Sequence, residues 1–161
     1  MPKAAIVLQV THARSSGIKF MIMKHLEVVA AIIIVDNQIL CVQRSKTKYA
    51  YTSYKYEFPG GKIEKKETPE QALLREIREE LHMDITIQRP YLTTQHTYPD
   101  FKITLHSFIC SCPTKDLTLT EHLQANWMPV DLIATLDWAE ADIEVVDKMV
   151  YEGEWGEIHN S

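Results

Sequence analysis

Runs of apolar residues divide the first part of the chain into predicted strands. Residues 27–35 are almost continuously apolar and rich in β-branched side chains, which predicts a strand covered on both faces. The turn signal Asp36-Asn37 follows, so Gln38–Gln43 is expected to pair with this strand as a hairpin. Further strands are predicted over Thr86–Thr97, residues 102–112 and residues 124–128.

A helix is predicted where the apolar spacing changes to three and four residues. Thr68 suits the N-cap and Pro69 the first helical position. Gln71 would complete a capping box, and the helix is expected to run to about Leu81. Helical character returns in residues 131–136 and 142–151.

Strands mixed with two or three helices predict an α/β or α+β sandwich, in which helices cover both faces of a mixed sheet. The length of 161 residues favours one domain, which we place over residues 25–152. Residues 1–24 fit the pattern badly and are interpreted as an N-terminal extension of uncertain status. Residues 153–161 are polar, contain glycine and are expected to form a loose tail.

The composition is that of a globular protein, with 45% hydrophobic and 24% charged residues. The formal net charge is -5, so the chain lacks the basic surface expected of a protein that binds duplex nucleic acid. A small phosphorylated ligand fits this charge if metal cations mask the repulsion. No apolar run is long enough for a membrane span. Either a monomer or a homodimer is compatible with the sequence.

The cysteines Cys41, Cys110 and Cys112 give no regular disulfide pattern. A zinc site would need a second pair of ligands, which the spacing does not supply. We therefore expect reduced thiols and a cytoplasmic protein.

The predicted helix carries acids inside its apolar face. At roughly 100° per residue, Glu80 falls ~20° from Leu73, and Glu76 lies a further ~40° round. Glu76 and Glu80 are one turn apart and repel each other, and Glu79 adds a third acid on the adjoining side. Because unpaired carboxylates are costly to bury, the cluster needs a cation, and hard oxygen ligands suit Mg²⁺ or Mn²⁺. The alternative is a solvated charged face whose acids pair with basic neighbours.

Residues 61–83 resemble the Nudix box, a gapped pattern of glycine, glutamate, an Arg-Glu pair and a Glu-Glu pair. The residues that fill this pattern in register are Gly61, Glu67, Arg75, Glu76, Ile77, Glu79, Glu80 and Met83. His82 stands where the family has a glycine that ends the helix in the left-handed conformation. Histidine is enriched there among non-glycine residues, so we expect a small cost in stability and no loss of activity. A looser resemblance to the MutT-like branch extends from about Val28 to Val150.

This resemblance implies a Nudix-type α/β/α sandwich with a mixed β-sheet. It also implies a hydrolase that uses Mg²⁺, or alternatively Mn²⁺, to release a nucleoside monophosphate and pyrophosphate from a nucleoside triphosphate. The metal ligands that it implies inside the box region are the Gly60 carbonyl, Glu76, Glu79 and Glu80. Related enzymes often supply another glutamate before a tryptophan. Glu121, six residues before Trp127, fits this arrangement, and a surface acid is the alternative.

The resemblance assigns further roles around the helix. Arg75 would pair with and orient an acid of the cluster, and Glu67 would fix the junction between loop and helix. Glu76 is the first candidate for the general base that takes a proton from water, with Glu121 in reserve. Lys62 either contacts a phosphate as a point charge or is a surface lysine.

Substrate choice depends on residues outside the box. MutT-like enzymes line the nucleotide pocket with an arginine of the second strand and the phenylalanine of Phe-Pro-Gly-Gly, where Arg44 and Phe58 stand here. Phe58 could equally belong to the core. Asp142 stands near the asparagine of enzymes that act on oxidised guanine. An ionised Asp only accepts hydrogen bonds, which suits an exocyclic amine such as cytosine N4.

The segment around Asp142 is similar to cytidine triphosphate pyrophosphohydrolases, so CTP, dCTP or a 5-substituted dCTP is the expected substrate. A helix N-cap is the alternative role for Asp142. Tyr98, Phe101 and Trp138 would either stack on a base or pack in the core.

Two other functions are compatible with this sequence. A MutT-like enzyme that removes oxidised purine triphosphates would prefer 8-oxo-dGTP to dCTP, and Asp142 in place of asparagine speaks against it. A Nudix module that senses nucleotides without catalysis usually has a broken box, whereas all the box carboxylates are present here.

Overall fold

The computed structural model describes residues 4–12, 18–153 and 155, with side chains from residue 22 onwards. The strands within these residues are β1 (Ala4–His12), β2 (Ile18–Val35), β3 (Gln38–Gln43), β4 (Tyr56–Glu57), β5 (Gly60–Lys62), β6 (Thr86–Thr97), β7 (Phe101–Ser111) and β8 (Gln124–Pro129). The helices are α1 (Pro69–Leu81), a 3-10 helix (Val130–Thr135) and α2 (Glu140–Glu152). None of these helices is long and apolar enough to cross a membrane.

The strands form one mixed sheet around β2. The central order is β4-β3-β2-β7-β6, while β1 and β5 pair with β2, and β8 pairs with β3. The β2–β7 pair is parallel, whereas the other strand pairs of the described sheet are antiparallel. The predicted fold class, a mixed sheet with helices, is confirmed.

Alternate residues of β2 face two separate cores. Val29, Ala31 and Ile33 pack with the apolar face of α1. Ala30, Ile32 and the other inward residues of the opposite face pack with α2 and the 3-10 helix. Because both faces of β2 are covered, its sequence is continuously apolar, as predicted. The two cores make the molecule a three-layer α/β/α sandwich.

The predicted and observed elements differ mainly at the N-terminal side. Strand β2 begins at Ile18 and not at residue 27, because its first part pairs with β1 from Ala4↔Leu26 to His12↔Ile18. Strand β2 therefore crosses the boundary that we placed between residues 24 and 25 without a break. In the proposed tail, residue 154 and residues 156–161 lie outside the described part.

The last helix starts earlier than predicted. Helix α2 begins at Glu140, and Ala139 occupies its N-cap without a side-chain hydrogen bond. The interpretation of Asp142 as an N-cap is therefore wrong, because this residue lies in the first turn. The segment predicted as helical over residues 131–136 is a 3-10 helix, Val130–Thr135.

Helix α1 has the predicted bounds because its ends are set by local contacts. The Thr68 hydroxyl accepts from the Gln71 N–H at 3.1 Å, and the Gln71 side chain accepts from the Thr68 N–H at 2.9 Å. At the other end, His82 has φ 54° and ψ 37°, and its N–H donates to the Arg78 carbonyl at 3.1 Å. His82 thus adopts the left-handed conformation that its place in the box implied.

Replacement of His82 by glycine should stabilise the fold. Left-handed backbone costs a residue with a Cβ roughly 1–2 kcal/mol, which glycine does not incur. We expect His82→Gly to raise the free energy of unfolding by about 1 kcal/mol in urea titrations. His82→Ala keeps the Cβ and is the control; an equal gain in this variant would contradict the conformational explanation.

Candidate active site

One cleft collects most of the residues that were predicted to act on a ligand. It has a volume of about 600 Å³ and lies where β2, β5, α1 and the start of α2 meet. The predicted site residues that line it are Arg44, Phe58, Gly60, Lys62, Glu76, Glu80, Glu121 and Asp142. Arg75 and Glu79 are the predicted site residues outside its lining.

Two glycines allow the backbone and the helix to meet at this cleft. A Cβ at Gly60 would overlap the Val29 carbonyl, since Gly60 pairs with Ala30 of the neighbouring antiparallel strand β2. A Cβ at Gly61 would overlap the carboxylate of Glu76. The missing side chains therefore let the Glu76 carboxylate lie directly against strand β5.

Arg75 neutralises one side of the acidic cluster. Its Nη1 donates to Glu76 Oε1 at 2.9 Å and to Glu79 Oε2 at 3.3 Å. Its other donors bind Glu67 at 3.0 and 2.6 Å and the Lys62 carbonyl at 3.1 Å. Glu67 also accepts from the Glu64 N–H at 2.6 Å, so it ties the preceding loop to the helix. The contacts expected of Arg75 and Glu67 are present.

Glu76 and Glu80 are enclosed rather than solvated. Their side chains are 14% and 18% exposed. Burial raises the pKa of Glu76, against the opposing hydrogen bond from Arg75. Burial, followed by the charges of Glu76, Glu57 and Glu121, raises the pKa of Glu80 to about 8. Oε2 of Glu80 is buried and has no hydrogen-bond partner among the described residues.

Glu79 and Glu121 occupy more open positions. The Glu79 side chain is 61% exposed and is held on the outer side by Arg75. Glu121 is exposed but lines the cleft, and its charge reaches Glu80. Its backbone carbonyl accepts from the Ser45 hydroxyl at 2.8 Å, which fixes the segment before β8 at the cleft.

Basic groups face the carboxylates across the cleft. Lys62 lines it from β5, and burial together with the charges of Lys24 and Arg44 lowers the pKa of Lys62. Arg44 follows β3 directly, and its Nε lies 3.5 Å from Glu57 Oε2. This combination of cationic and anionic walls suits an anionic ligand that is bound together with a cation.

Asp142 lines the cleft from the opposite layer of the sandwich. It is 6% exposed, and its Oδ1 accepts from the Phe58 N–H at 3.2 Å. Burial, followed by the charge of Glu57, raises the pKa of Asp142 well above its ordinary value. This environment therefore opposes ionisation of Asp142, so its charge depends on the hydrogen-bond partner that it meets in the cleft.

Aromatic residues form the rest of this wall. Phe58 is buried and packs on Trp138, with ring centroids 4.6 Å apart, so it belongs both to the core and to the cleft. Tyr98 and Phe101 line the cleft, and their centroids are 4.9 Å apart. Trp138 is buried behind Phe58 and donates to the Ile133 carbonyl, which makes it a core residue.

Glu57 and His122 also belong to the cleft, although no pattern in the sequence predicted them. His122 Nε2 lies 3.1 Å from Glu57 Oε1, and the His122 side chain is only 6% exposed. Both residues line the cleft beside Glu80. A single histidine next to Glu121 and a glutamate next to Phe58 carry no spacing signal, because they are 65 residues apart in sequence.

Comparison with known proteins agrees with this geometry. The model of the NUDIX domain matches residues 24–149. The chain belongs to the Nudix family.

Its relatives place this Nudix hydrolase in the MutT-like branch. It is 34% identical to the CTP pyrophosphohydrolase of Escherichia coli (strain K12), over 78% of this chain and 91% of that enzyme. A shorter match to the 8-oxo-dGTP diphosphatase of Proteus vulgaris, at 49% identity, covers 39% of this chain and 56% of that enzyme. The solved MutT protein of methicillin-resistant Staphylococcus aureus 252 is 41% identical, with a TM-score of 0.65, over 81% of this chain and 99% of that one.

Nudix hydrolases generally use divalent metal ions, and the donor set of this Nudix hydrolase suits one. Glu80 offers a buried oxygen that no described residue hydrogen-bonds, while Glu76 and Glu121 add carboxylates to the same cleft. Such oxygen donors match hard cations. Within the described residues, however, no three acidic, histidine or cysteine side chains already stand in a closed ligand cage. Closure around a cation would therefore require side-chain rotation, above all of Glu79, which points away with Arg75.

Glu80 should destabilise the metal-free protein at alkaline pH. Its pKa rises from 4.5 to about 8 on folding, so the stability it contributes is present below its unfolded pKa and is lost as pH rises through 8. We expect Glu80→Gln to gain on the order of 1–3 kcal/mol relative to wild type between about pH 5 and about pH 9, as measured by urea unfolding with a chelator. Glu79→Gln, at an exposed position, is the control. Parallel pH profiles for wild type and Glu80→Gln would show that Glu80 is not held in this state.

Proposed function

We propose that this protein is a Mg²⁺-dependent nucleoside triphosphate pyrophosphohydrolase that releases a nucleoside monophosphate and pyrophosphate. The enclosure of Glu76 and Glu80 in a cleft that also holds Lys62 and Arg44 carries this proposal. Carboxylates without sufficient partners need a cation, and a polyphosphate brings the anionic charge that such a cation and the basic residues would bind.

We further propose which groups of this chain hold the metal. They are the Gly60 carbonyl, Glu76, Glu79, Glu80 and Glu121. A bound divalent cation would neutralise phosphate charge, orient the phosphate chain and acidify a water. Mn²⁺ has the same preference for oxygen ligands and could replace Mg²⁺.

The remaining chemistry belongs to the side chains. Glu76 takes the proton from the attacking water as general base, and the rise in its pKa caused by burial makes it a stronger base than an exposed glutamate. Arg75 holds Glu76 in place at 2.9 Å. Lys62 presents a point charge to a phosphate oxygen. Water attacks an internal phosphorus, the bridging P–O bond breaks, and the two products leave. Glu121 is the reserve candidate for the base.

The proposed substrate is CTP, dCTP or a 5-substituted dCTP. Support comes from Asp142, which presents a carboxyl in the cleft beside Phe58, and from the similarity to the Escherichia coli CTP pyrophosphohydrolase over most of both chains. A carboxyl oxygen can accept from the cytosine N4 amine. Arg44, Phe58 and the aromatic pair Tyr98 and Phe101 would surround the nucleoside.

A second candidate substrate is 8-oxo-dGTP. The raised pKa of Asp142 favours it, because a protonated carboxyl both donates and accepts, as the asparagine of guanine-oxidation enzymes does. The similarity to the Proteus vulgaris 8-oxo-dGTP diphosphatase points the same way. Both candidates use the same catalytic end of the cleft and differ only at the base.

A panel of nucleoside triphosphates with Mg²⁺, scored by pyrophosphate release, tests the proposed activity. We expect turnover that a chelator abolishes, with dCTP or CTP ahead of the other common triphosphates. Glu76→Gln should lower kcat by about 10²–10⁴-fold, the usual contribution of a general base. Nucleotide binding without turnover by the wild type would instead identify a sensing module.

Asp142→Asn tests the assignment of the base. The asparagine always donates and accepts, so we expect the kcat/KM ratio of dCTP to 8-oxo-dGTP to fall by about 10-fold or more, the value of one base contact. Asp147→Asn, at an exposed position of the same helix, is the matched control. An unchanged substrate ranking in Asp142→Asn would remove this residue from base recognition.

A further inference from the structure

The pair formed by Glu57 and His122 stands next to the carboxylate cluster without a part in the reaction described so far. Glu57 bridges two groups, since its Oε1 lies 3.1 Å from His122 Nε2 and its Oε2 lies 3.5 Å from Arg44 Nε. An ionised carboxylate only accepts hydrogen bonds, so Nε2 of His122 carries the hydrogen in this contact. In the neutral imidazole, Nδ1 is then left as an acceptor with a free lone pair.

The lone pair of His122 faces a carboxylate of helix α1. Nδ1 lies 4.0 Å from Glu80 Oε2, which is too long for a direct hydrogen bond. Both atoms are buried, and neither has a hydrogen-bond partner among the described residues. When Glu80 is ionised, as it would be beside a cation, both atoms are acceptors, and a water molecule between them can donate one hydrogen to each.

The backbone keeps His122 in this position. Thr120 donates to the Glu80 carbonyl through its N–H at 3.3 Å and its hydroxyl at 3.0 Å. Thr118 donates to the Leu81 carbonyl at 2.9 Å, and Leu123 donates to the Gln43 carbonyl at 2.9 Å. The segment before β8 thus binds the free carbonyls at the end of α1 and the end of β3. The distance between His122 and Glu80 is therefore set by the main chain.

We propose that His122 and Glu80 form an acceptor pair that holds a water of the bound divalent cation, with Glu57 fixing the imidazole. The proposal rests on the proposed function. Magnesium keeps several of its waters when proteins bind it, and each such water is a strong donor that needs acceptors. His122 and Glu57 are thus positioning residues. They position the cation indirectly, through a hydrogen bond to its water, and the same water links His122 to Glu80.

Two amide variants of His122 separate this role from simple packing. The amide of His122→Gln reaches the level of Nε2 and can still bind Glu57, but it leaves no acceptor at the level of Nδ1. The amide oxygen of His122→Asn stands near the level of Nδ1 and can still accept. Glu57→Gln tests which ring nitrogen of His122 carries the hydrogen. The amide N–H of the new side chain can donate to His122 Nε2, so that the imidazole hydrogen lies on Nδ1 and Nδ1 no longer accepts. The control is His106→Asn, since His106 makes a similar contact with Glu27, at 2.7 Å, outside the cleft.

The affinity of the nucleotide-free protein for Mn²⁺ is measured by electron paramagnetic resonance, which detects the free ion. Metal activation of turnover and thermal unfolding are measured alongside. We expect His122→Gln and Glu57→Gln to weaken Mn²⁺ affinity by about 10-fold or more, as loss of a group that orients metal ligands does. His122→Asn should recover most of this loss, and KM for the nucleotide at saturating metal should stay unchanged. His106→Asn should bind as the wild type does.

Wild-type affinity in His122→Gln would overturn the proposal, as would equal losses in both His122 variants with a lowered unfolding temperature. Failure of the wild type to bind Mn²⁺ would overturn it too. Binding of Mn²⁺ without pyrophosphate release would refute the proposed function, while the ranking of the variants would still decide the role of His122.

Discussion

The enclosure of two carboxylates by an apolar helix face governs this structure. Helix α1 must bury Leu73 and Ile77 to cover one side of the sheet, and Glu76 and Glu80 are carried into the same interface. Arg75 compensates Glu76, but the buried Oε2 of Glu80 stays without a hydrogen-bond partner among the described residues. The fold therefore holds a buried acid whose negative charge is unfavourable unless a cation binds beside it. An ionised Glu80 would lower the stability of the metal-free protein and, under the proposed function, raise the affinity for the metal.

The architecture explains why the cleft forms here. Strand β2 is buried on both faces, so α1 and α2 approach it from opposite sides and bring Glu80 and Asp142 to one cavity. The residues Gly60 and Gly61 let the strands and the helix come close enough for the carboxylates to line it. In the proposed function, phosphate chemistry and base recognition would therefore lie on different layers of the sandwich.

Local signals in the sequence predicted the elements that depend on local contacts. The capping box at Thr68 and the left-handed His82 fix both ends of α1. The helical spacing of roughly 100° per residue predicted that Glu76 and Glu80 lie on its inner face. Contacts between distant segments were not predictable in this way. Strand β2 extends to Ile18 only because β1 pairs with it, and His122 meets Glu57 only because β8 and β4 both pair with β3. The pattern of apolar residues within one segment does not predict which distant segment pairs with it.

Glu80 and Asp142 show that burial alone does not decide what an acid does. Burial is the first cause of the raised pKa of both groups. Glu80 stands with Glu76 and Glu121, so a cation can replace its proton and leave it ionised. Asp142 has one backbone donor, from Phe58, and the nearby charge of Glu57 opposes its ionisation. Under the proposed function, the nucleobase would supply the second hydrogen-bond partner of this carboxyl. A base that offers a strong donor favours the ionised acid, and a base that also offers an acceptor favours the protonated one. If Asp142 binds the base as proposed, its protonation would thus be linked to substrate preference.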